Sequence, residues 1–210
     1  MTTRGKIGLY KISETGQDNA TPVILRAAIE EFDEVGFTAA SIARIAQRAG
    51  VSKSLVSYHF PAKIFLASTV VHLAYPNGVF MGVPRHAVSP LEAIVEATEH
   101  VADSVAHTQL ARVAIRLHRR KDVRADGSPD RYSGWLARIS DYFEEARQLG
   151  QIPEDSDVSY HARLLVAGVA GLLSLATDTN DYLTIVDDAR AMVQDRISLI
   201  WVEGSLQGKA

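Results

Sequence analysis

The sequence predicts an all-α protein, with a small N-terminal helical unit followed by a larger helical one. Three observations carry that expectation. Apolar residues recur at three- and four-residue spacings through most of the chain. Glycine and proline interrupt the pattern at intervals of helix length. No apolar–polar alternation runs long enough for a strand. At 210 residues the chain suits one large domain or two small ones and can bury a real core.

Residues 1–19 are polar and read as a flexible arm, weakly basic through Arg4, Lys6 and Lys11, with a DNA-grasping arm as the other option. From Thr21 the pattern turns helical, with Thr21 as a cap, Pro22 at the first helical position, and Ile24, Ala27, Ala28, Phe32 and Val35 on one face. Gly36 ends that helix. Ser41 caps a second helix with Ile42, Ile45, Ala46 and Ala49 inward, and Ser52 caps a short third one to about Tyr58. Pro61 separates a fourth helix at 62–75. Pro76-Asn77-Gly78, Gly82, Pro84 and Pro90 mark a boundary, giving an arm at 1–20, one unit at 21–75 and another at 76–210. Further helices are expected at 90–107, 109–120, 129–149, 156–177 and 182–204, with loops at Asp126-Gly127-Ser128-Pro129 and Gly150-Gln151-Ile152-Pro153.

Composition is that of an ordinary soluble domain, 47% hydrophobic and 22% charged. An uninterrupted apolar run of membrane-spanning length and a secretory h-region are both lacking, so no transmembrane helix is expected. The chain has no cysteine, which excludes disulfides and thiolate metal sites and fits a reducing cytoplasm. Net charge is −3, but residues 1–75 carry eight Lys/Arg against six Asp/Glu, and residues 41–63 hold Arg44, Arg48, Lys53 and Lys63 with no acid. Such a cluster can face phosphates while the rest stays acidic.

Residues 41–59, SIARIAQRAGVSKSLVSYH, have the make-up of a helix-turn-helix. Ala49 is small where the helices cross, and Gly50 accepts the left-handed backbone of the turn. Val51 and Val56 pack the second helix on the first, leaving Lys53, Ser54, Ser57, Tyr58 and His59 outward.

The longer string resembles the DNA-binding domain of TetR-family repressors. It comprises Gly36-Phe37, Ser41-Ile42-Ala43-Arg44-Ile45-Ala46, Ala49-Gly50-Val51-Ser52, Tyr58-His59-Phe60 and Lys63, and the likeness covers nearly all of 21–75. The resemblance implies a three-helix DNA-binding domain followed by a helical ligand-binding and dimerisation domain. It gives Lys53, Ser54 and Ser57 to the major groove, and Ser41, Tyr58, His59 and Lys63 to phosphates. Phosphate contacts position a protein and base edges specify sequence; lysine donates well to guanine, so Lys53 is the favoured base contact. The chain departs from the family at Ala40, where threonine is common, and at Ile64, where an acid is common. Ile64-Phe65-Leu66 is unusually apolar for that turn and could pack against the C-terminal unit or weaken DNA docking.

From Leu110 through Trp135 to Gly171 the chain resembles γ-butyrolactone autoregulator receptors within that family, repressors that sense lactone or furan signals and control antibiotic production. Some relatives bind other ligands, antibiotics among them, or none. The resemblance places Pro129 in the loop before the pocket helix and Trp135 in the pocket wall. Trp135, Ile139 and Phe143 share one helical face. Val113, Ile115, Leu117, Val166, Val169 and Leu173 offer further walls, and Gln109, Thr108, Tyr75 and Tyr142 offer polar groups, as expected of a small-ligand site. Gly168, Ala170 and Gly171 permit close helix approach, and 156–177 and 182–204 would pair with their copies as a two-fold dimer.

Glu96, His100, Asp103 and His107 share a helix face opposite an apolar one and read as solvated. Arg116 to Lys121 reads as a solvated helix end, with an anionic ligand group at Arg116 or Arg119 as the other option. No HExxH, P-loop, strand-linked GxGxxG or cysteine nucleophile occurs, so neither an enzyme nor a cofactor or metal site is expected. The expected partners are pseudo-palindromic operator DNA, a small effector and a second copy of the chain.

Overall fold

The computed structural model describes residues 20–76, 84–123 and 132–201. Outside them lie the N-terminal arm, Pro129 with its loop, and the expected end of the last helix at 202–204. The described residues are all-helical: α1 (Ala20–Ala39), α2 (Ile42–Ala49), α3 (Lys53–His59), α4 (Lys63–Ala74), α5 (Pro90–His107), α6 (Gln109–His118), a 3-10 turn (Lys121–Val123), α7 (Ser133–Gln148), α8 (Val158–Thr179) and α9 (Ile185–Ser198).

Local chemistry sets most of the helix ends. Ser41, Ser52, Ser89, Thr108 and Asp157 each accept a backbone N–H at the start of a helix, satisfying a donor that helix geometry leaves free. Gly50 takes a left-handed conformation (φ 67, ψ 26) between α2 and α3. Gly36 breaks the helical backbone inside α1 (φ 73, ψ 166), a combination open essentially to glycine alone. Thr21 lies within the first turn of α1, which already begins at Ala20, so it does not cap as expected; its Oγ1 sits 3.5 Å from His59 Nδ1.

Buried side chains form two clusters. One gathers Ile24, Phe32, Ile45, Val56, Phe60, Leu66 and Val70 from α1–α4, completed by Val113 and Leu117 of α6 and by Val123. The other joins α5, α7, α8 and α9 around Val101, Trp135, Ile139, Phe143, Val169 and Val193, and takes Ala111, Ala114 and Ile115 from the far side of α6. Ile64 and Leu66 pack in the first cluster, in which α4 lies against α1 and against α6 with its Val113 and Leu117, so this segment does pack on the C-terminal unit.

α8 is long and apolar enough to cross a membrane by length and composition, with a mean hydropathy of 1.4. Looking for an unbroken run overlooks it, because Arg163 interrupts the sequence. Ala162, Leu165, Val166, Val169, Leu173 and Ala176 form its buried stripe. Tyr160, Leu164, Ala167, Gly171 and Leu175 lie exposed along another face. Gly168 is what lets Met192 of α9 approach, since a Cβ there would stand 2.4 Å from its sulfur.

Candidate nucleic-acid and ligand interfaces

The turn at Gly50 holds α3 against α2, with Val56 buried and Val51 half-buried beneath it. Lys53, Ser54, Ser57 and Tyr58 are all exposed, Tyr58 at 77%. Ser41 spends its oxygen on the N–H of Arg44, at 3.2 Å, and its hydroxyl hydrogen remains a donor.

His59 and Lys63 stand differently from expectation. His59 is 7% exposed: it follows Val56 by three residues, so the helical period turns it inward toward Thr21 of α1, edge-on to Tyr58. Lys63 does not reach outward. Its Nζ donates to the carbonyls of Phe37 at 2.5 Å, Thr38 at 3.2 Å and Ala40 at 2.7 Å, and sits 4.5 Å from the centre of the Phe37 ring. An ammonium has three donors, and all three are used here. Burial, reinforced by the nearby Arg120 guanidinium, holds its pKa below the ordinary lysine value against the pull of Asp122.

Arg44 and Arg48 are not a free basic patch. The carboxylate of Glu31, fully buried on α1, lies 2.9 Å from Arg44 Nε and 3.3 Å from Arg48 Nη2. Glu34 pairs with both arginines, and Glu30 lies 3.6 Å from Arg48. Three carboxylates thus face two guanidinium groups. The acidic stretch of α1, Glu30-Glu31-Phe32-Asp33-Glu34, was the sequence signal for this pairing.

α6 supplies the next corrections. Gln109 Nε2 donates to Asp33 Oδ2 at 2.8 Å, and Arg116 pairs with Oδ1 of the same carboxylate. Burial alone would raise the Asp33 pKa, but these hydrogen bonds and the positive charges of Arg116 and Arg112 outweigh it and hold it below the ordinary value. Thr108 is the cap of α6 and also donates to Ser104 O, at 2.8 Å. Val113 and Leu117, four residues apart, point into the α1–α4 cluster. None of Thr108, Gln109, Val113 and Leu117 faces the expected pocket. α6 has two apolar sides, and the side nearer Trp135 carries Ala111, Ala114 and Ile115.

The basic end of α6 is tied down, not simply solvated. Arg119 meets Asp178 of α8 at 2.8 Å. Arg120 pairs with Asp122 at 2.9 Å, donates to Thr38 Oγ1 at 3.2 Å and lies over the Phe37 ring. On α5, Glu96 accepts from the N–H groups of Arg85, His86 and Ala87, and His107 pairs with Asp103.

Trp135, Ile139, Phe143, Val166 and Val169 come together as expected, each 3% exposed or less. Beside them a cleft of about 350 Å³ opens between α7 and α8, lined by Tyr132, Leu136, Arg163, Val166, Ala170 and Ser174. Of the residues expected to line a pocket, Val166 alone is among those lining this cleft. Tyr75 is buried against the same core, which pushes its phenol pKa up.

Residues 24–67 match the family described as Bacterial regulatory proteins, tetR family. The chain is 31% identical over 186 residues to the HTH-type transcriptional regulator BetI 1 of Chromohalobacter salexigens, covering 83% of this chain and 86% of that one. It is 24% identical over 178 residues, 85% of its length, to the A-factor receptor protein of Streptomyces griseus, and spans 59% of that relative. Among solved structures, TylP, a TetR regulator from Streptomyces fradiae, superposes with a TM-score of 0.68 at 26% identity, covering 89% of this chain and 88% of that one.

Proposed function

The chain belongs to the TetR family of bacterial regulatory proteins, and on that premise we propose that it is a repressor released from operator DNA by a γ-butyrolactone or furan signal, controlling antibiotic or secondary-metabolite genes. The observation that carries the DNA half is the exposed face of α3. Lys53, Ser54, Ser57 and Tyr58 are exposed there, and we give the first three to base edges and Tyr58, with the hydroxyl of Ser41, to phosphates. Two such faces in a two-fold dimer would meet a pseudo-palindrome in successive turns of the major groove. The exposed stripe Leu164, Ala167, Gly171 and Leu175 of α8, with α9 beside it, is the surface we assign to that dimer. Such a regulator acts at the chromosome, in the cytoplasm.

The ligand half rests on the aromatic core around Trp135 and on α6, which touches both clusters. A signal molecule lodged against Trp135, Ile139, Phe143, Val166 and Val169 would press on Ile115, and α6 would carry the displacement to α1 and α4. Release follows only if the ligand binds the displaced arrangement better than the DNA-bound one. Operator release in a gel-retardation assay, with a fragment from upstream of the gene and lactones or furans added, tests this. Retention of DNA at every lactone and furan concentration would overturn the ligand assignment.

A second reading, a regulator that answers a different ligand such as an antibiotic or none, is favoured by one observation. Trp135, Ile139 and Phe143 are packed to 1% exposure or less, as in a closed core. Release by an antibiotic, with lactones inert, would establish it.

A further inference from the structure

Residues 41–63 hold Arg44, Arg48, Lys53 and Lys63 and no acid, yet both arginines are matched from another helix. Glu31 of α1 places one carboxylate oxygen 2.9 Å from Arg44 Nε and the other 3.3 Å from Arg48 Nη2. Glu34 pairs with Arg48 and lies 3.8 Å from Arg44 Nη2, and Glu30 lies 3.6 Å from Arg48 Nη1. The hydrogen bond from Glu34, helped by the charges of Glu34 and Glu31, raises the Arg48 pKa above its ordinary value. Three carboxylates on two guanidinium groups leave the cluster at −1. Affinity for duplex DNA comes largely from cations that displace counterions from phosphates, so a cation withheld in this way lowers it.

The three acids are not equivalent. Glu31 is fully buried, and a buried carboxylate stripped of its cations is costly, so Glu31 and at least one arginine belong to the framework of the unit. The side chains of Glu30 and Glu34 are 40% and 56% exposed, where ion pairs contribute little to stability. Ile45 and Ala46 already bury α2 in the core it shares with α1, so the fold does not depend on these two acids. What they change is charge. Arg44 stands in the first turn of α2, and its N–H donates at 3.2 Å to Ser41 Oγ, the hydroxyl given above to a phosphate. A phosphate on that hydroxyl lies within reach of the Arg44 side chain, which is 48% exposed. The same guanidinium can therefore meet either the phosphate or the carboxylates of α1, and each further acid on α1 favours the second.

We propose that Glu30 and Glu34 set the DNA affinity of this protein by competing with a backbone phosphate for Arg44, which holds binding weaker and less salt-sensitive than the basic residues of α2 would make it. This rests on the DNA-binding reading of α3. The two acids take no part in base readout. They restrain affinity for all duplexes alike and leave sequence preference to Lys53, Ser54 and Ser57.

The test is a full-length variant carrying Glu30→Gln and Glu34→Gln, which leaves one buried carboxylate to two guanidinium groups and takes the cluster from −1 to +1. Binding is measured by fluorescence anisotropy across a range of salt, on a labelled duplex from upstream of the gene and on a scrambled duplex of the same composition. The variant is expected to bind both duplexes about two- to fivefold more tightly per protomer. Its slope of log K against log salt is expected to be steeper by about 0.9 per protomer, one added phosphate contact, with the ratio of the two affinities unchanged. In an Arg44→Gln background the same substitutions are expected to leave the slope unchanged. Affinity and slope equal to the parent's overturn the proposal and leave the α3 reading intact. A steeper slope that survives Arg44→Gln also overturns it, because the freed cation would lie elsewhere, and so does a changed ratio. Glu34→Gln alone takes the cluster only to zero; it is expected to give a smaller gain of the same sign, and it decides the matter if the double variant does not fold. Failure of the parent to bind either duplex would instead strike the DNA-binding reading itself, and this proposal with it.

Discussion

Lys63→Met separates the phosphate contact that the family resemblance implies from the turn-closing role that the structure shows. The substitution keeps a long apolar stem against Phe37 and deletes the ammonium. The structure shows that ammonium closing the Phe37–Ala40 turn through two part-buried bonds, at 2.5 and 2.7 Å, and one exposed bond at 3.2 Å. A hydrogen bond from a charged donor contributes about 1.5–3 kcal/mol. Water can refill a half-buried site, so the two part-buried bonds count at the low end and the exposed one hardly at all. The expected loss is about 2–3 kcal/mol, a large share of the roughly 5–15 kcal/mol that holds a domain folded. For a chain of this size it lowers Tm by about 4–12 °C. Urea and thermal unfolding at one fixed protein concentration measure it, since dimerisation would otherwise shift the midpoint. DNA titrations across salt concentration complete the comparison. With the turn-closing role, stability falls and the salt slope stays within error of the parent's. Unchanged stability together with a slope shallower by about 0.9 per protomer would refute the reasoning and return Lys63 to the phosphates.

Three other expectations follow from the same geometry. Tyr58→Ala removes a side chain that is 77% exposed, so stability should move by less than about 0.5 kcal/mol while affinity for all duplexes drops alike; a matching loss of stability would count against a DNA contact. Asp33 has a depressed folded pKa, so its pairing with Arg116 and Gln109 contributes stability above the unfolded value, about 3.9, and loses it as pH falls through the folded value. Asp33→Asn should therefore flatten stability against pH below about pH 4, and an acid limb superimposable on the parent's would contradict the assignment. Gly36→Ala has open space for its Cβ but a φ of 73, so unfolding experiments should register a backbone cost of about 1–3 kcal/mol; a neutral result would mean the turn relaxes.

Helix ends were legible because they are local chemistry. Ser41 and Ser52 announce caps, and Gly36 and Gly50 announce backbone that other residues avoid. The outward face of α3 is legible for Lys53 and Tyr58; His59 has the chemical type of a phosphate ligand, but three residues after Val56 the helical period turns it inward. The fate of charged residues was less readable. Whether Arg44 meets a phosphate or Glu31 depends on how α2 lies across α1, and no local pattern fixes that. α6 misled for a related reason. Its apolar residues fit two opposite faces, and periodicity cannot say which core each face meets, so Val113 and Leu117 were given to the pocket when they belong with α1 and α4. The resemblance at family level was informative because small residues recur at fixed offsets, whereas pocket walls are made of interchangeable aliphatic side chains.

The double membership of α6 sets limits on modularity. Val113 and Leu117 complete one core while Ala111, Ala114 and Ile115 complete the other, so the two do not part at any single peptide bond. A graft of residues 20–76 onto a foreign sensor would leave unfilled the space those two side chains occupy. The part that can be exchanged is thus the reader together with one side of a helix that follows it by more than thirty residues. With the ligand site proposed above, diversification of such a protein is easiest behind that helix, where residues around Trp135 can change without disturbing the surface α6 shows to α1 and α4. On that proposal, new signals are acquired by substitution in place, with no recombination of whole domains.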